Sequence, residues 1–196
     1  MSDAAARERR AKQTTRNLIY SLAATAALVL VMVLVTPRPT TSLVQPVDYK
    51  ASANDIRDTA KLPVLAPKLL AKGWYSNSAR WNSQTADGVD NWYVGFVGPK
   101  NQYLGITQGF NANPTWVMLQ LKGDLPQGAV TIAGKRWTVW QATAKNDPPK
   151  TRDYAMVTEV TSGTRTDSVL VYGTATKSEF REFATLVAQQ LKVLYP

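Results

Sequence analysis

The chain has 196 residues, enough for about one ordinary domain with appendages, and its 44% hydrophobic and 19% charged content is typical of a folded protein. It contains no cysteine and no histidine, which excludes disulfides, thiolate nucleophiles, histidine-dependent catalytic triads and the usual zinc and iron–sulfur sites. The formal net charge is +9. This composition is still compatible with a cation site made of carboxylates or with a catalytic Ser/Lys pair.

An uncharged apolar segment occupies residues 18–35. As a helix its 18 residues cover about 27 Å of a hydrocarbon core that is roughly 30 Å thick. Small residues lie at its start, whereas its end reads Val33-Leu34-Val35, where a signal peptidase would need small side chains. We therefore predict a transmembrane signal-anchor helix, with a cleaved signal peptide as the alternative.

Basic residues flank this segment unequally. The first twenty residues beyond it hold only Arg38 and Lys50, whereas five precede it: Arg7, Arg9, Arg10, Lys12 and Arg16. The positive-inside rule then places the basic tail, residues 1–17, in the cytoplasm and the remainder outside. We predict a single-pass plasma-membrane protein with an extracytoplasmic C-terminal domain, which nucleic acid does not reach.

Small residues four apart, Ser21 with Thr25 and Ala23 with Ala27, would let a second membrane helix approach closely, although plain exposure to lipid explains them equally well. The next segment, residues 36–48, contains three prolines and is expected to be an extended tether. The folded domain is predicted over residues 49–196.

The domain begins with a short helix, which Ser52 would cap with Asp55 as its acidic partner and which Pro63 would limit. Alternating or wholly apolar segments then predict three strands, over 75–82, 91–97 and 102–110. Residues 113–123 are ambiguous between helix and strand. We predict a helix, because Asn113 can cap it and Pro114 suits its first position.

Four more strands are predicted after Gly128, as one hairpin turning at 133–135 and another turning at 162–165, joined by a polar loop over 143–153. A final helix starts with a Thr176/Glu179 capping box and presents one apolar stripe. The stripe comprises Phe180, Phe183, Ala184, Val187, Leu191 and Leu194. The order α-βββ-α-ββββ-α predicts an α+β domain with one antiparallel sheet of about six or seven strands packed with helices.

The aromatic residues offer a candidate site. Trp137 and Trp140 are three residues apart and would point to opposite faces of one strand, so that one of them would lie at the surface or under a helix. Beside Lys135 and Arg136 it would form a cationic and aromatic patch for anionic lipid, a glycan or a partner protein. Core packing is the alternative for both tryptophans.

Other candidate chemistry is sparse. No nucleotide-binding or serine-hydrolase motif is present, and Asp87 and Asp90 are explained by a turn as well as by a cation. We expect no metal, no cofactor and no catalytic residue.

Two motifs, "LPVLAPKLLAKGWYSNSARW" at 62–81 and "GKRW" at 134–137, follow the basic tail, apolar span and tether. In this arrangement the chain resembles an actinobacterial membrane-anchored family catalogued as domain of unknown function 4245, which implies no assigned activity. The element order is also similar to the α/β/α sandwich of the PsbP and Mog1 class, whose members act mainly by binding.

We therefore expect a non-catalytic extracytoplasmic domain, serving as an accessory subunit or binding module of a membrane or cell-envelope complex. The alternatives are a carrier of lipid or envelope polymer and a hydrolase of envelope polymers that uses neither histidine nor cysteine. An enzyme should show a cleft where at least two of Ser, Lys, Asp or Glu converge, and a binding module an aromatic-lined surface.

Overall fold

The computed structural model describes residues 3–35, 45–122, 124–141 and 152–196, with side chains from Gln13 onward in the first segment. The chain forms two compact units, Met1–Leu43 and Val44–Pro196. Most of the predicted tether and the loop over 142–151 lie outside the described residues.

The first unit is one long helix, α1 (Asp3–Val35). Its segment Gln13–Val35 has a mean hydropathy of 2.6, is not buried against the rest of the chain, and is long and apolar enough to cross a membrane. The prediction of an apolar N-terminal helix is confirmed. Length and composition are shared by signal sequences, so they do not by themselves determine topology.

The second unit is an α/β/α sandwich around one seven-stranded antiparallel sheet, which confirms the predicted fold class. Its elements are α2 (Tyr49–Ala60), β1 (Tyr75–Asn82), β2 (Asn91–Val97), β3 (Tyr103–Gly109), α3 (Pro114–Leu121), β4 (Leu125–Ile132), β5 (Lys135–Gln141), β6 (Tyr154–Ser162), β7 (Arg165–Gly173) and α4 (Lys177–Leu194). The sheet order is β1-β2-β3-β7-β6-β5-β4, so β3 pairs with β7 and β4 forms one edge.

One face of the sheet carries the main core, where α2 and α4 pack. Each strand contributes alternate residues to it, as expected for a sheet with period two. Its largest fully buried side chains are Leu65, Trp92, Phe96, Leu104, Ile106, Trp137, Met156, Phe180 and Phe183. The predicted capping box is present, with Thr176 and Glu179 each satisfying the other's backbone, and the predicted stripe of α4 is buried or partly buried in this core.

The opposite face carries a smaller core under α3. Trp116, Val117 and Leu121 of this helix pack on Val157 and Leu170 of the sheet. Asn113 caps α3 by accepting from the Trp116 N–H at 2.8 Å, and this confirms that 113–123 contains a helix rather than a strand.

The predicted cap of α2 is wrong. Asp48, not Ser52, is the N-cap, and its carboxylate accepts from Lys50 N at 3.1 Å and Ala51 N at 3.0 Å. The helix therefore begins one turn earlier, and Ser52 lies inside it with its hydroxyl bonded to the Asp48 carbonyl. The earlier start buries Tyr49, whose hydroxyl donates to the Pro67 carbonyl at 2.6 Å.

The segment between α2 and β1 is held on the main core by buried polar side chains. Gln108 accepts from the Leu65 N–H at 2.9 Å and donates to the Pro63 carbonyl at 3.0 Å and to the Tyr195 hydroxyl at 2.9 Å. Tyr195 in turn donates to the fully buried Asp167 at 2.7 Å. Because each of these bonds bridges distant parts of the chain, the network fixes the end of α4 on the sheet.

Candidate functional site: a cleft between α3 and the sheet

The structure separates the two tryptophans of the predicted patch. Trp137 and Trp140 point to opposite faces of β5, as predicted. Trp137 has 0% exposure within the main core and does not reach the surface. Trp140 is half-buried on the α3 face, next to the smaller core. Of the four predicted residues, Lys135, Arg136 and Trp140 line one cleft, and Trp137 does not.

The cleft opens where β5 and β6 separate. These strands pair only through residues 138–141 and 154–157, although both extend further. Beyond this ladder β5 pairs with β4 alone, and β6 pairs with β7 alone. We call the gap between residues 135–137 of β5 and 158–162 of β6 the fork.

Backbone groups point into the fork from both strands. Lys135 and Ser162 close two-residue hairpin turns, so their N–H and C=O groups face their hairpin partners. Since direction alternates along an antiparallel strand, the backbone groups of Arg136 and Glu159 face the fork instead. The β5–β6 ladder ends before the fork in the described structure, so these donors and acceptors point into the gap without ladder partners.

The cleft has a volume of about 580 Å³. Helix α3 forms one wall and the diverging strands form the floor and the other wall. The lining residues are Pro114, Val117, Met118, Lys135, Arg136, Thr138, Trp140, Val157, Thr158 and Glu159. This volume is within the range of roughly 300–1,000 Å³ that is typical of small-molecule sites.

Helix α3 is a rigid wall because both of its ends are fixed. At its start, the Trp116 ring lies on Gly109, where an added Cβ would come within 2.5 Å of the ring. At its end, Arg152 donates to the Gln120 carbonyl at 2.7 Å and to the Leu121 carbonyl. A cation bound to the last carbonyls of a helix also offsets the negative end of its dipole.

Arg152 also forms an ion pair with Asp124, whose Oδ2 lies 2.9 Å from its Nε without hydrogen-bond alignment. Burial raises the pKa of the Asp124 carboxyl, and the nearby Arg152 charge opposes part of that rise. The pair lies at the end of α3 and outside the cleft lining, so we assign it a structural role.

The polar groups of the cleft are not used by the fold. The side chains of Lys135, Arg136 and Glu159 form no hydrogen bond or ion pair with any described residue. The Trp140 Nε1–H is buried and also lacks a partner in that part of the chain. On the α3 side, Arg136 therefore faces Glu159 across the fork, beside the Trp140 indole donor. Lys135 shares the sheet face of Ile132 and Trp137, and adds a second cation at the edge of the gap.

Exposed apolar side chains concentrate beside the cleft. Among the described residues of the second unit, the large hydrophobic side chains that are exposed are Leu69, Met118, Leu119, Leu125 and Val193. Three of these five belong to α3 and the start of β4, and Met118, at 47% exposure, is also a cleft residue. Clustered apolar exposure beside a pocket indicates binding, whereas scattered single residues do not.

The rest of this sheet face is filled by tyrosines lying on glycines. The hydroxyls of Tyr93 and Tyr103 contact each other above Gly95, and Tyr172 lies over Gly105. Burial, together with the hydrogen bond from Tyr93, raises the pKa of Tyr103 far above its usual range. The rings close the sheet surface in the absence of a described helix there, so this region is packed rather than open.

The predicted carboxylate pair near β2 is explained by its turn. Asp87 accepts from the Thr85 hydroxyl at 2.6 Å and the Val89 N–H at 3.2 Å, and Asp90 accepts from Gln84 N at 2.9 Å. Within the described residues, no three or more His, Cys, Asp or Glu side chains are grouped to hold a metal ion.

The residues predicted to act in the first unit all belong to α1. Ser21, Ala23, Thr25 and Ala27 are exposed along it, and the Thr25 hydroxyl donates to the Ser21 carbonyl at 2.9 Å within the helix. Arg16 is exposed, whereas the side chains of Arg7, Arg9, Arg10 and Lys12 lie outside the described residues.

Sequence reasoning missed the α3 wall and the β6 side of the cleft, including Val117, Met118 and Glu159. One signal for the wall was available. The helix "PTWVMLQL" is apolar on nearly every side, although it is short and near the surface, and such a helix leaves apolar side chains without a core.

A family model described as "protein of unknown function (DUF4245)" matches residues 10–187. The match includes most of α1, the whole sheet and more than half of α4. No curated protein and no solved structure matches the chain.

Proposed function

Because the chain belongs to the DUF4245 family of proteins of unknown function, its activity has to be inferred from its residues, and we propose that it is a non-catalytic binding module anchored outside the plasma membrane. Its ligand or partner occupies the cleft between α3 and the fork. The domain serves as an accessory component of a membrane or cell-envelope complex.

The anchor is supported by α1. The helix contains an apolar segment of 23 residues, Gln13–Val35, preceded by a basic flank and lacking a good cleavage site. With the N-terminus in the cytoplasm, the sheet domain lies on the outer side.

The observation that carries the binding function is the cleft itself. A folded domain normally pairs its buried polar groups and covers its apolar side chains. Here the buried Trp140 indole N–H has no described partner, and Met118 stays exposed beside it, while the exposed Arg136 and the partly buried Lys135 line the same cleft. These groups converge on one volume of ligand size, which is the arrangement expected of a binding site.

Photo-crosslinking in intact cells tests this function. A photoreactive residue replaces Met118 at the rim of the cleft, and a matched chain carries it at the exposed Ser178 on α4. Irradiation should give one discrete adduct at position 118, identified by mass spectrometry, and none of the same mass at position 178. Identical adducts at both positions, or none at position 118, would rule out a ligand in the cleft.

A hydrolase is the second candidate, and one observation favours it. Lys135 and Glu159 line the same cleft, and a carboxylate and an amine can share proton transfer. In that case Glu159→Gln would abolish turnover of an envelope polymer, whereas a binding module would retain its ligand in this variant.

A further inference from the structure

The chemistry of the cleft also indicates which class of ligand it takes. Building on the binding function proposed above, we propose that the cleft binds a single-chain amphiphile with one anionic headgroup, the headgroup at the fork and the alkyl chain along α3.

The headgroup end is set by charge. Lys135 and Arg136 supply two cations against the single carboxylate of Glu159, and none of the three is neutralised by a described partner. The Arg136 backbone N–H faces the same gap. An anionic oxygen cluster can therefore accept hydrogen bonds from the Arg136 side chain and backbone, with Lys135 as a second cation at the edge of the gap and Glu159 offsetting only part of the positive charge.

The chain end is set by the apolar wall. Val117 and Met118 of α3 face Trp140 and Val157 of the sheet across the cleft. These side chains can cover an alkyl chain without leaving a polar group unpaired. Methionine adapts its shape to flexible ligands, and the exposure of Met118 and Leu119 continues the apolar surface outward from the cleft.

Two other occupants fit less well. A free phosphate would satisfy the cations but leave the apolar wall in water. An inserted peptide strand needs a run of unpaired backbone groups, whereas the β5 side of the fork offers only those of Arg136 before the hairpin turn. An amphiphile uses both halves of the cleft.

Calorimetry on the full-length chain in phosphatidylcholine nanodiscs tests this proposal, with octyl phosphate as the probe and empty nanodiscs as the blank. We expect saturable binding of octyl phosphate at one site per chain. Butyl phosphate should bind at least tenfold more weakly, because each buried methylene contributes about fourfold in affinity. Inorganic phosphate and octyl maltoside should each bind at least tenfold more weakly, since each supplies only one half of the ligand.

Variants locate the site. Lys135→Gln with Arg136→Gln should weaken octyl phosphate binding at least tenfold. The control, Lys68→Gln with Lys72→Gln, removes the same charge from exposed positions outside the cleft lining and should change the affinity less than twofold. Glu159→Gln should strengthen binding a few-fold, because it removes the repulsion of the headgroup.

Three results would each contradict the proposed amphiphile ligand. They are an equal loss of affinity in both double variants, equally tight binding of inorganic phosphate, and no binding of octyl phosphate. These outcomes are distinct from failure of the binding function, because the photo-crosslinking at position 118 uses no assumed ligand. An adduct there without octyl phosphate binding would keep the module and reject this ligand class.

Discussion

At the residue scale, the two neighbouring tryptophans of β5 have different roles. Trp137 is fully buried under α4, whereas Trp140 is half-buried at the cleft. Strand periodicity predicted that they face opposite sides, but it could not tell which side is the core, because both sides of β5 carry apolar residues. That choice depends on which helix packs on which face, and so on contacts distant in sequence.

We expect Trp137→Ala to reduce the free energy of unfolding by about 3–5 kcal/mol, the usual cost of removing a buried aromatic side chain. Trp140→Ala should cost clearly less, because its side chain is only half-buried and one wall of its pocket is open. Urea denaturation of each nanodisc-embedded variant, followed by circular dichroism, measures the difference. Equal losses would contradict the assignment of the two faces.

Glu179 links pH to stability through the cap of α4. Burial alone would raise the pKa of its carboxyl, but hydrogen bonds from the Thr176 backbone and from Gln102 and Thr176 side chains lower it overall. A carboxyl with a lowered pKa stabilises the fold above its unfolded pKa of about 4.3. That stabilisation is lost as the pH falls through the lower folded pKa.

Glu179→Gln should therefore reduce the melting temperature at pH 7, because glutamine can keep the capping-box hydrogen bond but not the negative charge, which contributes about 0.3–1 kcal/mol at a helix N-terminus. The difference in melting temperature from the unmodified chain should close as the pH falls through the lowered pKa of the folded Glu179 carboxyl, because below that pKa the native carboxyl is protonated as well. Glu182→Gln, on the exposed side of the same helix, is the control and should show no such pH-dependent gap. A difference in melting temperature between Glu179→Gln and the unmodified chain that persists in acid would mean that the Glu179 charge does not stabilise the cap.

At the element scale, local patterns predicted the elements well and the cleft poorly. The bounds of β1 and β2 agree with prediction because alternation and flanking turn residues specify them locally. The cleft depends on where β5 leaves β6, and on an α3 helix packed over the gap. Neither feature leaves a periodic signal, since each results from pairing between strands.

The hairpin between β4 and β5 positions Lys135 and Arg136 and contains a strained residue. Ala133 has φ of 49° and Gly134 has φ of 81°, which is the type I′ pattern that favours Asn-Gly. Ala133→Asn should stabilise the domain by about 0.5–1 kcal/mol, because asparagine tolerates this backbone better than alanine.

The second hairpin supplies the matched control. Gly163 has φ of 61° and open space around it, so Gly163→Ala should destabilise by about 1 kcal/mol through backbone conformation alone. Thermal unfolding of both variants measures whether each substitution raises or lowers the stability of the domain. A loss of stability in Ala133→Asn would show that the backbone conformation of residue 133 does not limit the stability of the turn.

At the scale of the whole molecule, the sequence predicted the order of elements and the α+β class, but not the order of strands in the sheet. The pairing of β3 with β7 joins residues that are about sixty positions apart, and it places β4 rather than β7 at the edge. Hairpin signals are local, so they predict neighbours along the chain and not this long-range closure.

The absence of cysteine makes the membrane arrangement directly measurable, because a single introduced thiol has no background. Ser2→Cys marks the basic tail, and Ser178→Cys marks the exposed start of α4. Intact cells are treated with a maleimide that cannot cross the membrane, and the labelled full-length chain is recovered from the membrane fraction. We expect labelling at position 178 in intact cells and at position 2 only after permeabilisation. The reverse pattern, or a soluble labelled chain that lacks α1, would contradict an anchored module on the outer face of the membrane.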